Sequence, residues 1–197
     1  MLLCARGLHR LGLSPIDFDL PAGGCLGISG PSGVGKSVLL RMLADLDPHD
    51  GDVRLDGRSQ QDTPPCEWRR QVALLAAESQ WWEPRVRDHF VDGKVPLLDE
   101  LGFEKDPADW EIQRLSSGER ERLALARVLA LAPRVLLLDE PTANLDEQNA
   151  SRVERLIENW RRDAERAVVW VSHDREQLAR VADQRLHLED GKWSTAA

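Results

Sequence analysis

The sequence predicts an α/β fold with a mostly parallel central sheet, on three observations. Short apolar runs typical of strands buried on both faces recur along the chain, at 26–29, 72–77, 135–138 and 167–171. Stretches with helical spacing of apolar residues alternate with these runs, most clearly at 149–160. A glycine-rich stretch, 30–37, lies between the first buried run and an apolar helical stretch. Strands and helices in alternation form parallel sheets covered by helices on both faces.

The N-terminal part has a different pattern, which predicts an antiparallel β-subdomain. Residues 2–5 form a short apolar run, and apolar residues alternate with aspartates over 16–20. A helix is predicted over 38–46, after the glycine-rich stretch. A further strand is predicted over 51–57, where an Asp-Gly pair indicates a turn.

The middle of the chain is divided by prolines. Three prolines break 79–109 into short pieces, so we expect short helical pieces there, followed by a longer helix over 117–131. These segments are predicted to form a short helical lobe, 79–131, inserted in a single domain that spans 1–197. The last predicted elements are a helix at 175–181 and a strand at 186–188.

Charge and composition exclude several classes of protein. The 197-residue chain has a formal net charge of −8, which argues against binding to nucleic acid and direct adhesion to anionic lipid. Its apolar runs are far shorter than the ~20 residues that cross a bilayer. Cys4, Cys25 and Cys66 have neither the spacing of a disulfide framework nor that of a zinc site. We therefore expect a cytoplasmic protein.

The glycine-rich stretch fits G-x-x-x-x-G-K-[ST], a loop that cradles phosphate groups. Its glycines let successive N–H groups face one anion, and the following helix adds its positive dipole end. Lys36 is predicted to reach the β- and γ-phosphates, and Ser37 to offer its hydroxyl to Mg²⁺. A chance turn is disfavoured because only four of the 26 Lys and Arg residues are lysines. The predicted nucleotide-binding residues are Gly30, Pro31, Ser32, Gly33, Val34, Gly35, Lys36, Ser37 and Val38.

Two adjacent carboxylates, Asp139 and Glu140, follow the buried run 135–138. Ligands bind at the carboxyl ends of the strands in open α/β sheets. Asp139 is predicted to hold Mg²⁺ beside Ser37, and Glu140 to polarise the water that attacks the γ-phosphate. Taken alone the pair is equally well explained as a polar turn, but the phosphate loop favours the functional interpretation.

The sequence Leu-Ser-Ser-Gly-Glu at 115–119 precedes a long helix and resembles the L-S-G-G-Q signature of ATP-binding cassette (ABC) proteins. Further motifs stand in that family's order, with Ala-Asn-Leu-Asp at 143–146 as the D-loop and His173 as the switch histidine. The agreement extends over nearly the whole chain. The resemblance implies an ABC-type nucleotide-binding domain of the P-loop NTPase fold, with ATP and Mg²⁺ as cofactors.

The resemblance also implies a site shared between two subunits. Glu140, His173 and Lys36 would act on the nucleotide of their own subunit, and Asp146 would reach across the seam. The signature would face the partner's nucleotide from the N-terminus of a helix, where anions bind. Helix capping is the plain alternative for Asp146 and for the signature serines. The signature residues are Ser116, Ser117, Gly118 and Glu119.

Two departures from the family pattern concern the nucleotide. The aromatic residue that stacks on adenine in the family is missing from this sequence. Either adenine lies on His9 or Arg10 instead, or the site selects loosely among bases. Ala77 stands where the family has its Q-loop glutamine. We expect Glu78 to supply a carboxylate oxygen to Mg²⁺ instead, with Gln80 as the rival.

A third departure lies in the signature, where Ser117 replaces a glycine and Glu119 a glutamine. The added carboxylate opposes a phosphate unless it points away. Trp81 and Trp82 belong either to the core of the helical lobe or to a patch that faces a partner.

The leading prediction is the ATP-binding and ATP-hydrolysing subunit of an ABC transporter. Such a subunit would form a homodimer around ATP and drive a membrane permease encoded as a separate chain. It would be cytoplasmic and peripheral to the inner membrane through that permease. The alternatives are a soluble non-transport ABC ATPase and a non-catalytic nucleotide-binding regulator. The first usually has long coiled coils or a second cassette, and the second is disfavoured by the intact site residues.

Overall fold

Two β-sheets organise the chain, whose computed structural model describes residues 1–10, 12–162 and 165–195. The N-terminal sheet has four strands in the order β2-β1-β4-β5. Its strands are β1 (Leu3–Arg10), β2 (Leu13–Leu20), β4 (Asp50–Leu55) and β5 (Arg58–Ser59). All of its strand pairs are antiparallel, which confirms the predicted antiparallel β-subdomain.

The second sheet has six strands in the order β10-β9-β3-β8-β7-β6. Its strands are β3 (Cys25–Ser29), β6 (Val72–Leu75), β7 (Val135–Asp139), β8 (Ala167–Val171), β9 (Gln184–Glu189) and β10 (Lys192–Thr195). Every pair is parallel except the terminal β9–β10 hairpin. Every residue of β3, β7 and β8 is buried, as expected for central strands with both faces covered. The predicted α/β fold is confirmed.

Within the described ranges five α-helices accompany the sheets, and four of them were expected from the sequence. The helices are α1 (Lys36–Leu43), α2 (Pro65–Gln71), α3 (Ser117–Leu129), α4 (Glu147–Arg162) and α5 (Arg175–Val181). The seven-residue α2 is not predicted, although Pro65 at its start is a residue that favours the first turn of a helix. Its Trp68 is 1% exposed and anchors it to the core.

Alternate residues of the central strands point to opposite faces of the parallel sheet. On one face, Leu136, Leu138, Val168 and Trp170 pack with α3, α4 and the segment before α3. On the other face, Leu137, Val169 and Val171 pack with α1 and the N-terminal sheet. The sheet therefore separates two cores, and its carboxyl edge lies between them.

The segment between β6 and α3 is more irregular than predicted. It contains two 3₁₀ turns, Val86–His89 and Ile112–Arg114, where the sequence suggested several short helical pieces. Helix nucleation costs free energy, and runs interrupted by proline are too short for the added hydrogen bonds to offset it. Packing against α3 and α4 therefore orders this segment. Among the described residues, no helix combines the length and apolar character needed to cross a membrane.

Candidate functional site

The glycine-rich loop connects the end of β3 to the start of α1 and requires glycine at two close approaches. Gly30 has φ 153°, and a Cβ atom there would lie 2.3 Å from the carbonyl oxygen of Leu188. Gly35 has φ 114°, and a Cβ atom there would lie 2.7 Å from a methyl group of Leu13. Both backbones are in a region that favours glycine. Leu13 therefore supports the loop from the N-terminal sheet, a contact that the sequence does not reveal.

Lys36 points back into this loop. Its Nζ donates hydrogen bonds to the carbonyl oxygens of Gly30 at 2.8 Å and Pro31 at 2.9 Å. Burial lowers the pKa of the ammonium, while Glu140 and Asp139 oppose that shift. No side chain among the described residues caps the N-terminus of α1, and the first turn of this helix contains no acidic residue. Its free N–H groups and the ammonium together make an anion site.

The predicted carboxylate pair lies at the end of β7, next to β8. Asp139 is the last residue of β7, pairs in register with Val171, and is 7% exposed. Glu140 has a positive φ of 53° and donates its backbone N–H to Val171 at 3.1 Å. The sheet thus turns two successive carboxylates toward its carboxyl edge, where α/β ligands bind.

Glu140, His173 and Ser32 converge at this edge. The carboxylate of Glu140 accepts the backbone N–H of His173 at 3.3 Å. The His173 Nε2 lies 3.1 Å from Glu140 Oε1 and 3.4 Å from the Ser32 hydroxyl. Predicted residues from the phosphate loop, from the β7 end and from the β8 end are therefore neighbours.

The Glu140 carboxyl is half-buried, and burial raises its pKa. His173 and Lys36 act in the opposite direction and favour the ionised form. Its Oε1 is buried and forms no hydrogen bond of good geometry among the described residues, although the His173 Nε2 lies 3.1 Å away. A buried acceptor without a well-aligned donor is a place where a water or ligand proton fits. The arrangement can accept a proton from a water beside the phosphate loop.

The donor set for a cation consists of hard oxygen atoms. The Ser37 hydroxyl is exposed at the start of α1, and the Asp139 carboxylate lies at the sheet edge. One hydroxyl and one or two carboxylates, completed by phosphate oxygens, suit Mg²⁺. Glu78 and Gln80 follow β6 and line one groove together with Ser117. Among the described residues no hydrogen bond joins Glu78 or Gln80 to Asp139.

The signature begins α3 with a reciprocal cap. The Glu119 backbone N–H donates to the Ser116 hydroxyl at 3.2 Å, and the Ser116 backbone N–H donates to the Glu119 carboxylate at 2.8 Å. Glu119 is thereby turned back onto its own helix start, where its carboxylate accepts hydrogen bonds from the N–H and the hydroxyl of Ser116. Ser116 and Ser117 themselves are exposed.

Asp146 caps α4 by accepting a hydrogen bond from the backbone N–H of Asn149 at 2.8 Å. Helix capping was the alternative to a role at the subunit seam for this residue. Its carboxylate is also exposed. Sequence reasoning missed Arg122 and Asn149, which contact each other beside this cap. The three-residue spacing from Asp146 to Asn149 is the signal that points to Asn149.

His9 and Arg10, the residues considered for contact with adenine, both lie next to acidic side chains. Arg10 pairs with Asp47 at 2.9 Å, and the His9 ring lies 3.7 Å from the Asp50 carboxylate. Residue 11, between them and β2, lies outside the described residues.

Of the two tryptophans, one fits the interpretation as core of the lobe and the other fits the interpretation as a patch that faces a partner. Trp81 packs against the core, whereas Trp82 is 67% exposed. The Arg127 guanidinium of α3 stacks on both rings, at 4.5 Å and 4.9 Å from their centroids.

Comparisons with known proteins show the family of the chain. The sequence model of the family described as ABC transporter matches residues 13–143. The aliphatic sulfonates import ATP-binding protein SsuB of Pseudomonas entomophila is 34% identical over 196 residues, covering 91% of this chain and 68% of SsuB. The phosphate import ATP-binding protein PstB of Aeropyrum pernix is 33% identical over 207 residues, covering 91% of this chain and 81% of PstB.

The fold has a close counterpart among solved structures. The dimeric structure of an ATP-binding cassette in a post-hydrolysis state, bound to ADP and Pi, matches with a TM-score of 0.80. The match covers 98% of each chain at 23% identity, so it supports the fold. The chain belongs to the ABC transporter family, as an ATP-binding and ATP-hydrolysing subunit.

Proposed function

We propose that two copies of this chain close around ATP and Mg²⁺, hydrolyse the ATP between them and drive a permease on a separate chain. The observation that carries this proposal is the division of the site within one chain. Lys36, Glu140 and His173 gather at the sheet edge, while Ser116 and Ser117 are exposed at the start of a different helix. A second copy supplies the signature that completes the site.

Residues 30–38 cradle the triphosphate, and Lys36 balances its β- and γ-phosphate charge. Ser37, Asp139 and either Glu78 or Gln80 would hold Mg²⁺, which supplies charge neutralisation at the phosphate oxygens. The signature of the partner subunit approaches from the opposite side with the free N–H groups of its helix start.

Glu140 acts as the general base in this proposal. Its carboxylate accepts a proton from the attacking water, and His173 orients that carboxylate through its backbone N–H at 3.3 Å and its ring Nε2 at 3.1 Å. His173, within 3.4 Å of the Ser32 hydroxyl, donates a hydrogen bond to the γ-phosphate.

The permease contact is proposed at the groove that Trp82 and Pro84 line with Gln113. It lies beside the segment that follows β6 and leads from Glu78 to the tryptophans. Movement of this segment on ATP hydrolysis would pass to a membrane partner. The chain would then work at the cytoplasmic side of the inner membrane.

The Glu140→Gln variant tests the shared site. It should bind ATP and accumulate as a dimer, measured by light scattering on a sizing column, while turnover falls about 100-fold or more. Glu104→Gln, an exposed carboxylate away from the site, should keep wild-type turnover and leave no trapped dimer. Unchanged turnover in Glu140→Gln would remove Glu140 as the base.

The permease proposal is tested by affinity purification from membranes. A polytopic membrane protein should accompany the wild-type chain. Recovery only with ribosomes or DNA would favour a soluble ABC ATPase. ATP binding without hydrolysis by the wild-type chain, alone or with its membrane partner, would favour a regulator.

A further inference from the structure

The signature and the D-loop pack directly against each other within one chain. A Cβ atom at Gly118 would lie 3.2 Å from a methyl group of Leu145 and 3.3 Å from the carbonyl oxygen of Asn144. Both distances are tighter than ordinary van der Waals contact. The start of α3 therefore sits against the turn that precedes α4, with no room for a larger residue at this point.

Arg122 adds a polar connection below this contact. It is 9% exposed, and its guanidinium stacks over the Phe103 ring at 4.6 Å. It donates to the carbonyl oxygens of Gly118 at 3.3 Å and Leu101 at 2.5 Å, and to the side-chain oxygen of Asn149 at 3.1 Å. One buried cation thus joins the signature helix to the first turn of α4.

Asn149 carries the connection on to the D-loop carboxylate. Its side-chain N–H donates to Asp146 Oδ2 at 2.8 Å, and its backbone N–H donates to Asp146 Oδ1 at 2.8 Å. The amide orientation is determined because the guanidinium of Arg122 can only donate and the carboxylate only accept. These bonds, led by the backbone N–H, lower the pKa of Asp146 and keep it ionised.

We propose that Asn149 is a positioning residue that locks the exposed Asp146 carboxylate to the signature helix through Arg122. Residues 116–122 and 144–149, the signature–D-loop unit, then meet the second copy of the chain as one preorganised surface. This inference rests on the proposed dimer, because the surface acts only on a partner. A surface ordered before association loses less conformational entropy when it binds.

The capping role of Asp146 can be separated from this link. The cap needs only the Asp146 carboxylate and the backbone N–H of Asn149, and Asn149→Ala retains both. Alanine also favours the helix slightly more than asparagine does. The variant should therefore fold with α4 intact, while Asp146 loses its connection to Arg122.

The test measures ATP-driven dimer formation in the Glu140→Gln background, by sedimentation over a range of protein concentrations. Adding Asn149→Ala should weaken dimer formation about tenfold, the effect of losing a hydrogen bond to a charged group. Asn149→Asp should weaken it further, because a second carboxylate would face Asp146. Asn159→Ala, an exposed asparagine on the same helix, is the matched control and should change nothing.

A second readout separates positioning from general stability. The affinity of dilute, monomeric protein for a fluorescent ATP analogue, and its melting temperature, should be the same for Asn149→Ala and Asn159→Ala. If the parent dimerises and Asn149→Ala dimerises equally well, the inference is wrong and the proposed function stands. If the parent itself stays monomeric with ATP, the proposed function fails and the inference with it. A parallel loss of monomer affinity and melting temperature would show a merely structural residue.

Discussion

Lys36 has three ammonium protons, and the loop uses two of them on the carbonyl oxygens of Gly30 and Pro31. One donor and the full positive charge remain for a phosphate. Glu140 is complementary, since its buried Oε1 forms no hydrogen bond among the described residues, although the His173 Nε2 lies 3.1 Å from it. Its left-handed backbone, φ 53°, is a conformation that costs about 1–3 kcal/mol and that the contact with Val171 helps to maintain. Each of the two residues therefore keeps hydrogen-bonding capacity for a ligand, Lys36 as a donor and Glu140 as an acceptor.

Replacing Lys36 should therefore weaken nucleotide binding whether or not the charge is kept. Lys36→Ala removes the cation, and Lys36→Arg places a planar guanidinium in a loop that fits a compact ammonium. We expect at least an about tenfold loss of ATP affinity in both, measured by calorimetry. Lys105→Ala, at an exposed position, is the control. Wild-type affinity in Lys36→Ala would contradict the phosphate-loop assignment.

The three cysteines should differ in reactivity for reasons visible in their surroundings. Cys25 is buried in β3, and burial raises the pKa of its thiol to about 12, so it is almost wholly protonated at pH 8. Cys66 is exposed. An alkylating reagent at pH 8 should label Cys66 first and leave Cys25 unmodified until the protein is denatured, as peptide mass spectrometry would show. Early labelling of Cys25 would contradict its burial.

At the scale of elements, α3 shows how one sequence feature can serve two purposes. Ser116 and Glu119 cap the helix reciprocally, and the same turn exposes Ser117 at the helix start. The capping box orders the signature before any partner arrives. A glutamine in place of Glu119 can make the same backbone contact, so the observed glutamate is compatible with the family's glutamine.

Two substitutions at Glu119 separate its charge from its hydrogen bond. Glu119→Gln should change the free energy of unfolding by less than about 0.5 kcal/mol, because glutamine also closes a capping box. Glu119→Ala should lower it by about 1 kcal/mol, because the Ser116 N–H loses its acceptor. Urea unfolding followed by circular dichroism measures both. Equal losses in the two variants would mean that the charge, rather than the hydrogen bond, stabilises the helix start.

For the whole molecule, local sequence motifs predicted which residues lie at the carboxyl edge of the sheet. They did not predict the long-range contacts, which depend on tertiary packing. The loop at 30–37, the Asp139–Glu140 pair and the buried strands are readable because spacing within a short stretch encodes them. The support of Gly35 by Leu13, and the link from Arg122 to Asn149, join residues 22 and 27 positions apart. No short-range pattern encodes such contacts. The irregular 76–116 segment escaped prediction because packing, and not helix propensity, orders it.

A mixture of two inactive variants tests whether the site is shared. Lys36→Ala disables the phosphate loop, and Ser117→Asp places a negative charge at the signature while remaining favourable at a helix start. Each variant alone should be inactive, but a mixed dimer contains one intact site. Equal amounts should reach up to about a quarter of wild-type turnover, since half of the dimers carry one intact site of two. A mixture no more active than its components would place the whole site in one chain.

The most direct measurement is a crystal structure of the Glu140→Gln variant grown with ATP and Mg²⁺. The account predicts two copies in which each triphosphate lies within hydrogen-bond distance of Lys36 Nζ of one chain and of the N–H groups at Ser117 and Gly118 of the other. A triphosphate bound away from Lys36, or one whose nearest signature faces solvent in every copy, would contradict it.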